Sequence, residues 1–193
     1  DEAWDWAYER VAGRPFVAVH MGDGIEGVHH NATTPMTWNI TDQIKLAEAD
    51  IKPKIQPAAA YYHIRGTPAH AGVDGQHEEE LACRLEAVPN KYGNHARKSL
   101  WKRLGPRLMQ CSHAIGVTSA AAYELGALNR LAVSYIVEGA RRDVAIPDIL
   151  VRGHRHRSAH VSLTMRERAM HVIVTPCWQA KSLYVHKNAG SQA

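Results

Sequence analysis

Short apolar runs that stop abruptly at glycine or histidine restrict the fold of this chain more than any other feature. Residues 16–19 read Phe-Val-Ala-Val and lead into His20-Met21-Gly22-Asp23. Residues 61–65 lead into Gly66-Thr67-Pro68-Ala69-His70. Residues 107–112 end at His113, and residues 148–152 (Asp-Ile-Leu-Val-Arg) lead into Gly153-His154-Arg155-His156. Runs this short fit buried strands. Each strand therefore releases a carboxylate or an imidazole just past its C-terminal end, the edge of open α/β sheets where sites form.

The intervening segments carry helical spacing. Residues 2–12 place Trp4, Ala7, Tyr8 and Val11 on one face, with Gly13 as the stop. Residues 39–55 place Ile40, Ile44 and Ala47 together, and Pro53 and Pro57 mark an end or a break. Residues 76–85 open with acids, as a helix N-terminus prefers. Residues 98–104 are read as another short helix. A long helix is expected over residues 119–140 behind a Thr118 cap, with Ala122, Leu125, Leu128 and Leu131 facing inward. Residues 161–165 and 171–175 read as a hairpin around Arg166-Glu167-Arg168, and residues 182–186 as a last strand. Strands first alternate with helices and then run together, which gives a layered α/β domain with a mixed sheet. The 193 residues suffice for one such domain with a real core.

Composition narrows the chemistry. No apolar run approaches the roughly 20 residues of a membrane span. The net charge of +4 suits a polyanionic partner, although an ordinary soluble surface explains it equally well. Cys83, Cys111 and Cys177 are far apart and read as buried free thiols of a reducing, cytoplasmic compartment. Thirteen histidines stand against one phenylalanine. Histidine is a metal ligand and a proton carrier near neutral pH.

The spacing of those histidines has a physical use. In extended chain, residues i and i+2 point to one side, so His154 and His156 can reach one metal or two adjacent ones. Asp23 adds an anionic oxygen able to bridge two cations. Glycines before Asp23 and His154 permit tight turns. The nitrogen and oxygen donors suit Mn, Fe, Zn or Ni better than Ca.

Taken in order, Gly22-Asp23, Gly66-Thr67-Pro68-Ala69-His70, His113 and Gly153-His154-Arg155-His156 resemble the calcineurin-like metallophosphoesterase superfamily. Residues 22–31, 64–70, 112–124 and 148–157 resemble its phage and prophage-associated members. The resemblance implies an α-β-β-α sandwich with mixed sheets over residues 1–193, and two divalent metal ions (Mn, Fe, Zn or Ni). It implies that Asp23 bridges both metals, that His113 and His154 bind one, and that His156 binds the other. A metal-activated water would then hydrolyse a phosphomonoester or phosphodiester, with nucleic acid or nucleotide as candidate substrate, in the cytoplasm of a bacterial or phage-infected host.

Three departures from the family pattern stand out. The family opens with an Asp-x-His strand that this sequence lacks, so a truncated N-terminus and a groove beside residues 16–19 are expected. The family's Gly-Asn-His is replaced by Gly66-Thr67-Pro68-Ala69-His70, where Thr67 or His70 can substitute as metal ligand. His70 is either that ligand, the acid that protonates the leaving group, or a histidine that merely closes the loop. Ala114 follows His113, where relatives often have a second histidine.

His29, His30 and Asn31 follow Asp23 and are candidates to face substrate phosphate, or to form a polar loop held by turn bonds. Glu78, Glu79 and Glu80 can reach a metal, but an acidic first helical turn also explains them. Arg155 and Arg157 alternate with the His pair and should point away from it. His20 is expected behind the ligands, and Trp178, which Gln179 follows, in packing. The rival to an enzyme is a non-catalytic metal-binding or scaffold protein that keeps the fold. A third reading is a basic nucleic-acid-binding domain, whose binding would collapse with salt and ignore chelators.

Overall fold

Neighbouring side chains along one strand enter different cores. In β2 (Ala60–Ile64), Tyr61 packs with two helices, whereas Tyr62 and Ile64 face a second sheet. The period-2 geometry of a strand produces this division, and it recurs in β6 (Ile149–Arg152). There Leu150 joins a helix-side cluster and Val151 packs between the sheets. The result is a four-layered sandwich, helix on sheet on sheet on helix.

The computed structural model describes residues 2–28, 35–116, 123–165 and 168–177. The other elements are α1 (Glu2–Val11), β1 (Val17–His20), α2 (Ile40–Ile55), α3 (Pro68–Ala71), α4 (Gln76–Arg84), β3 (Ala96–Arg97), β4 (Leu100–Leu104), β5 (Arg107–Ser112), α5 (Glu124–Arg142), β7 (Ala159–Met165) and β8 (Arg168–Val174). The first sheet has the order β1-β2-β3, parallel throughout, with β1 at its edge. The second has the order β4-β5-β6-β8-β7, with parallel centre pairs and antiparallel outer pairs.

Each helix reaches its layer through an apolar stripe. Ile44 of α2 and Leu81 and Ala82 of α4 are buried on the first sheet with Tyr61 and Ala96. Leu128 and Ala132 of α5 are buried on the second sheet with Met170, Val172 and Val174. The α2 N-terminus is set by Asn39, whose side chain accepts a hydrogen bond from the Thr41 amide at 2.9 Å. Pro53 sits inside this helix rather than ending it. No described helix is long and apolar enough to cross a membrane.

Several expectations need correction. Residues 98–104 do not form a helix, because Leu100–Leu104 is strand β4, paired with β5 from Leu100↔Cys111 to Leu104↔Arg107. Gly105 and Pro106 alone join the two strands, with Gly105 at φ 57°, so tight hairpin geometry overrides helical propensity. Leu125 is 52% exposed, so it lies outside the buried stripe of α5. Of the three cysteines only Cys111 is buried, while Cys83 and Cys177 are exposed. The start of the expected long helix at residues 117–122, the turn residues Arg166 and Glu167, Trp178, Gln179 and the last strand at residues 182–186 lie outside the described residues.

Candidate metal centre

Strand register brings the candidate ligands together. Parallel pairing of β5 and β6 sets Ser112 beside Arg152, and the Gly153 amide then donates to the His113 carbonyl at 3.2 Å. His113 and His154 thus leave adjacent strand ends, their rings 5.2 Å apart and edge to face. From the other sheet, β1 delivers Asp23, and the loop after β2 delivers Gly66, Thr67 and His70. One ligand atom each from Asp23, His113 and His154 lies within 4.8 Å of the others.

The approach of the two sheets at this point requires missing side chains. A Cβ on Gly66 would lie 2.1 Å from Asp23 Oδ1. A Cβ on Gly22, whose φ is 92°, would lie 2.8 Å from both the Gly66 backbone and His113 Nδ1. Asp23, His154 and His156 themselves occupy the left-handed region, at φ 57°, 70° and 58°. For non-glycine residues that conformation is uncommon and strained, and it concentrates at functional sites.

Hydrogen bonds assign the imidazole tautomers. His113 Nδ1 donates to the Met21 carbonyl at 2.6 Å, and His70 Nδ1 donates to the Ile25 carbonyl at 3.1 Å. In the neutral rings, Nε2 therefore carries the lone pair. Both Nε2 atoms face the same oxygen, Asp23 Oδ2, at 2.9 Å for His113 and 3.8 Å for His70. His113 Nε2 is buried and makes no well-aligned hydrogen bond. An imidazole lone pair 2.9 Å from a carboxylate oxygen repels it unless a proton or a metal cation lies between them, so His113 and Asp23, with His154 beside them, fit a divalent cation.

Electrostatics describe the same competition. Burial by itself would raise the Asp23 pKa, but His113, His70 and the Thr67 amide together hold Asp23 down at about 2. Burial would lower His113, yet the Asp23 carboxylate holds it above the ordinary imidazole value. His154 is lowered by burial and by His113. His156 is lowered by burial, against the opposing charge of Asp23. These two rings stay neutral and keep their lone pairs.

The remaining candidates fall into place around this centre. Thr67 donates both its amide, at 2.7 Å, and its hydroxyl, at 3.2 Å, to Asp23 Oδ1. Thr67 is therefore a donor that orients Asp23 here. His156 is not within the 4.8 Å group but feels the charges of Asp23, His70 and His113. Arg155 turns away and donates to the Gly116 carbonyl. His29, His30 and Asn31 lie outside the described residues.

A second cluster lies behind Asp23 and consists of His20, His63 and Glu78. The sequence pattern did not single out His63 and left Glu78 between reaching a metal and belonging to an acidic helical turn; the two are 0% and 1% exposed. The strand period of residues 60–64 sets His63 on the helix-facing side with Tyr61, a signal present in the sequence.

No family model and no curated protein matches this chain. Three similar solved structures are distant. A single mutant of Vps29 from Entamoeba histolytica has a TM-score of 0.40 and 14% identity, covering 88% of this chain and 79% of that one. A Streptococcus pneumoniae protein described as a predicted phosphoesterase has a TM-score of 0.35 and 11% identity, covering 83% and 71%. Vps29 from Cryptosporidium parvum has a TM-score of 0.37 and 14% identity, covering 83% and 72%. Likenesses at this level bear on neither activity nor partners.

Proposed function

We propose that this chain is a metal-dependent phosphoesterase of the calcineurin-like type. The observation that carries the reading is the convergence of Asp23, His113 and His154, with His113 Nε2 2.9 Å from Asp23 Oδ2 while the Met21 carbonyl holds the Nδ1 hydrogen. The motif order noted in the sequence agrees with it. Asp23, His113 and His154 would hold one divalent cation, and Asp23 with His156 would hold a second. When bound, such cations lower the pKa of water and offset charge on phosphoryl oxygens.

The chain's own residues supply positioning and proton handling. Thr67 fixes one Asp23 oxygen and leaves the other directed at the imidazoles. The Met21 and Ile25 carbonyls hold the two rings in the required tautomer. His70 would donate a proton from Nε2 to a leaving oxygen. The substrate class is a phosphate ester, with nucleic acid or nucleotide favoured only by net charge and resemblance.

A second reading, metal binding without turnover, draws on Thr67. It stands where the family places an asparagine ligand, and both its donors go to Asp23. Hydrolysis of bis(p-nitrophenyl) phosphate and p-nitrophenyl phosphate, with manganese and with chelator, separates the two. Turnover that requires manganese and disappears in Asp23→Asn supports the enzyme. Stoichiometric metal binding with no turnover supports the rival.

A further inference from the structure

Resting on the metal-site reading above, we infer that Glu78 and His20 are positioning residues that hold the Asp23 turn from behind. Parallel pairing of β1 and β2 sets His20 opposite His63, and their rings stack at 4.6 Å and 17°. Both occupy the face of the sheet that α4 covers, and Glu78 in the first turn of α4 meets them there. The Tyr61 hydroxyl donates to His63 Nδ1 at 2.7 Å, and His63 Nε2 donates to Glu78 Oε2. The other Glu78 oxygen accepts the Gly24 amide at 2.9 Å. His20 Nδ1 accepts the Gly22 amide at 3.2 Å.

The consequence lies in which amides these are. Gly22 and Gly24 flank Asp23, so one buried cluster holds the backbone on both sides of that residue. Asp23 sits at φ 57°, in the left-handed region that few non-glycine residues adopt. Such a residue keeps its geometry only when its surroundings enforce it. Thr67 fixes the Asp23 carboxylate from the front, and the cluster fixes its backbone from the rear.

The same cluster has a composition that could suit a metal, two imidazoles and a carboxylate within 4.8 Å. Its hydrogen bonds point to positioning instead. Both Glu78 oxygens, both His63 nitrogens and His20 Nδ1 are already engaged in hydrogen bonds without a cation. Glu78 stays ionised: burial opposes this, but His63 and the Gly24 amide hold its pKa below the ordinary value.

Two readouts on the full chain test the inference. The first is amide hydrogen exchange in chelator, which needs no metal. Gly22 and Gly24 should be protected in the wild type. Glu78→Gln should weaken the protection of Gly24, because His63 and Gly24 bind different Glu78 oxygens and glutamine replaces one of those acceptors with an NH2 donor. His20→Phe, which keeps a ring against His63, should release Gly22. The second readout is manganese affinity, measured well below each variant's melting temperature. Outer partners of metal ligands typically contribute 10–100-fold to affinity, and a loss of that size is expected in both variants. Glu80→Gln, an exposed change on the same helix, should alter neither readout. Unprotected Gly22 and Gly24 in the wild type would overturn the inference. So would unchanged manganese affinity in Glu78→Gln despite a lowered melting temperature, which marks a merely structural role. Loss of one whole manganese ion from Glu78→Gln, with affinity at Asp23 intact, would overturn it in favour of a second metal site. Failure of the metal-site reading has a different signature: protected amides, released as expected in the variants, with no manganese bound by the wild type.

Discussion

His113 Nε2 lies 2.9 Å from Asp23 Oδ2 while the opposite ring nitrogen donates to the Met21 carbonyl. A proton or a metal can occupy that gap, but not both. The competition makes metal binding depend on pH. His113 is held above the ordinary value of 6.5, chiefly by Asp23 acting against burial. In the metal-free protein its contribution to stability is complete below 6.5 and is lost as pH rises through its folded value. Asp23 has the opposite sign: its contribution is present above 3.8 and is lost as pH falls through about 2. His154 and His156, both lowered, contribute fully above 6.5 and lose that contribution as pH falls through their folded values. A cation must displace the His113 proton, so manganese affinity should rise between pH 6 and pH 8, by at most about tenfold per pH unit for one proton, with proton release. Titration calorimetry in buffers of different ionisation enthalpy measures both quantities. Affinity independent of pH would contradict the arrangement.

The conformation of His154 separates its metal role from its structural one. At φ 70° it sits in the left-handed region, and although partly desolvated the residue keeps contact with solvent. His154→Gly should therefore melt in chelator no lower than the wild type, since removing about 1–2 kcal/mol of left-handed strain offsets glycine's entropic cost of about 0.5–1 kcal/mol. The same variant should lose manganese-dependent hydrolysis. Arg155→Ala should retain it, because Arg155 is turned toward the Gly116 carbonyl. Loss of about 2–5 kcal/mol of stability in His154→Gly, the range of a core truncation, would mark His154 as structural.

Gly66 tests how closely the two strand ends must approach. The Cβ of Gly66→Ala would sit 2.1 Å from Asp23 Oδ1, so the carboxylate must move. Thr67 would then lose its acceptor and the imidazoles their facing oxygen. Manganese affinity should fall at least about tenfold, in keeping with the loss of oriented ligand geometry. A crystal structure of the variant with Asp23 unmoved and metal affinity unchanged would refute the argument.

The legible parts of the fold were those set by local pattern. Residues 107–112 form β5 with the bounds read from the sequence, and the helix read over residues 39–55 is α2, Ile40–Ile55. The Asp23, His113 and His154 convergence followed from strands that end on one side of the sandwich, β1 in one sheet and β5 and β6 in the other. Residues 98–104 were misread because Lys-Ser-Leu-Trp-Lys-Arg-Leu carries charges at helical spacing, while the Gly105-Pro106 turn held the stronger information. The Glu78 network was not legible. It depends on the parallel register that sets His20 beside His63, and on the docking of α4 over both, neither of which any local spacing encodes.

Anomalous diffraction from crystals grown with manganese tests the central claim most directly. The expected result is a peak bonded to Asp23 Oδ2, His113 Nε2 and His154, absent in the Asp23→Asn variant. The contradicting result is a fully ordered site with no anomalous peak there at saturating manganese, and His113 Nε2 still 2.9 Å from the Asp23 carboxylate.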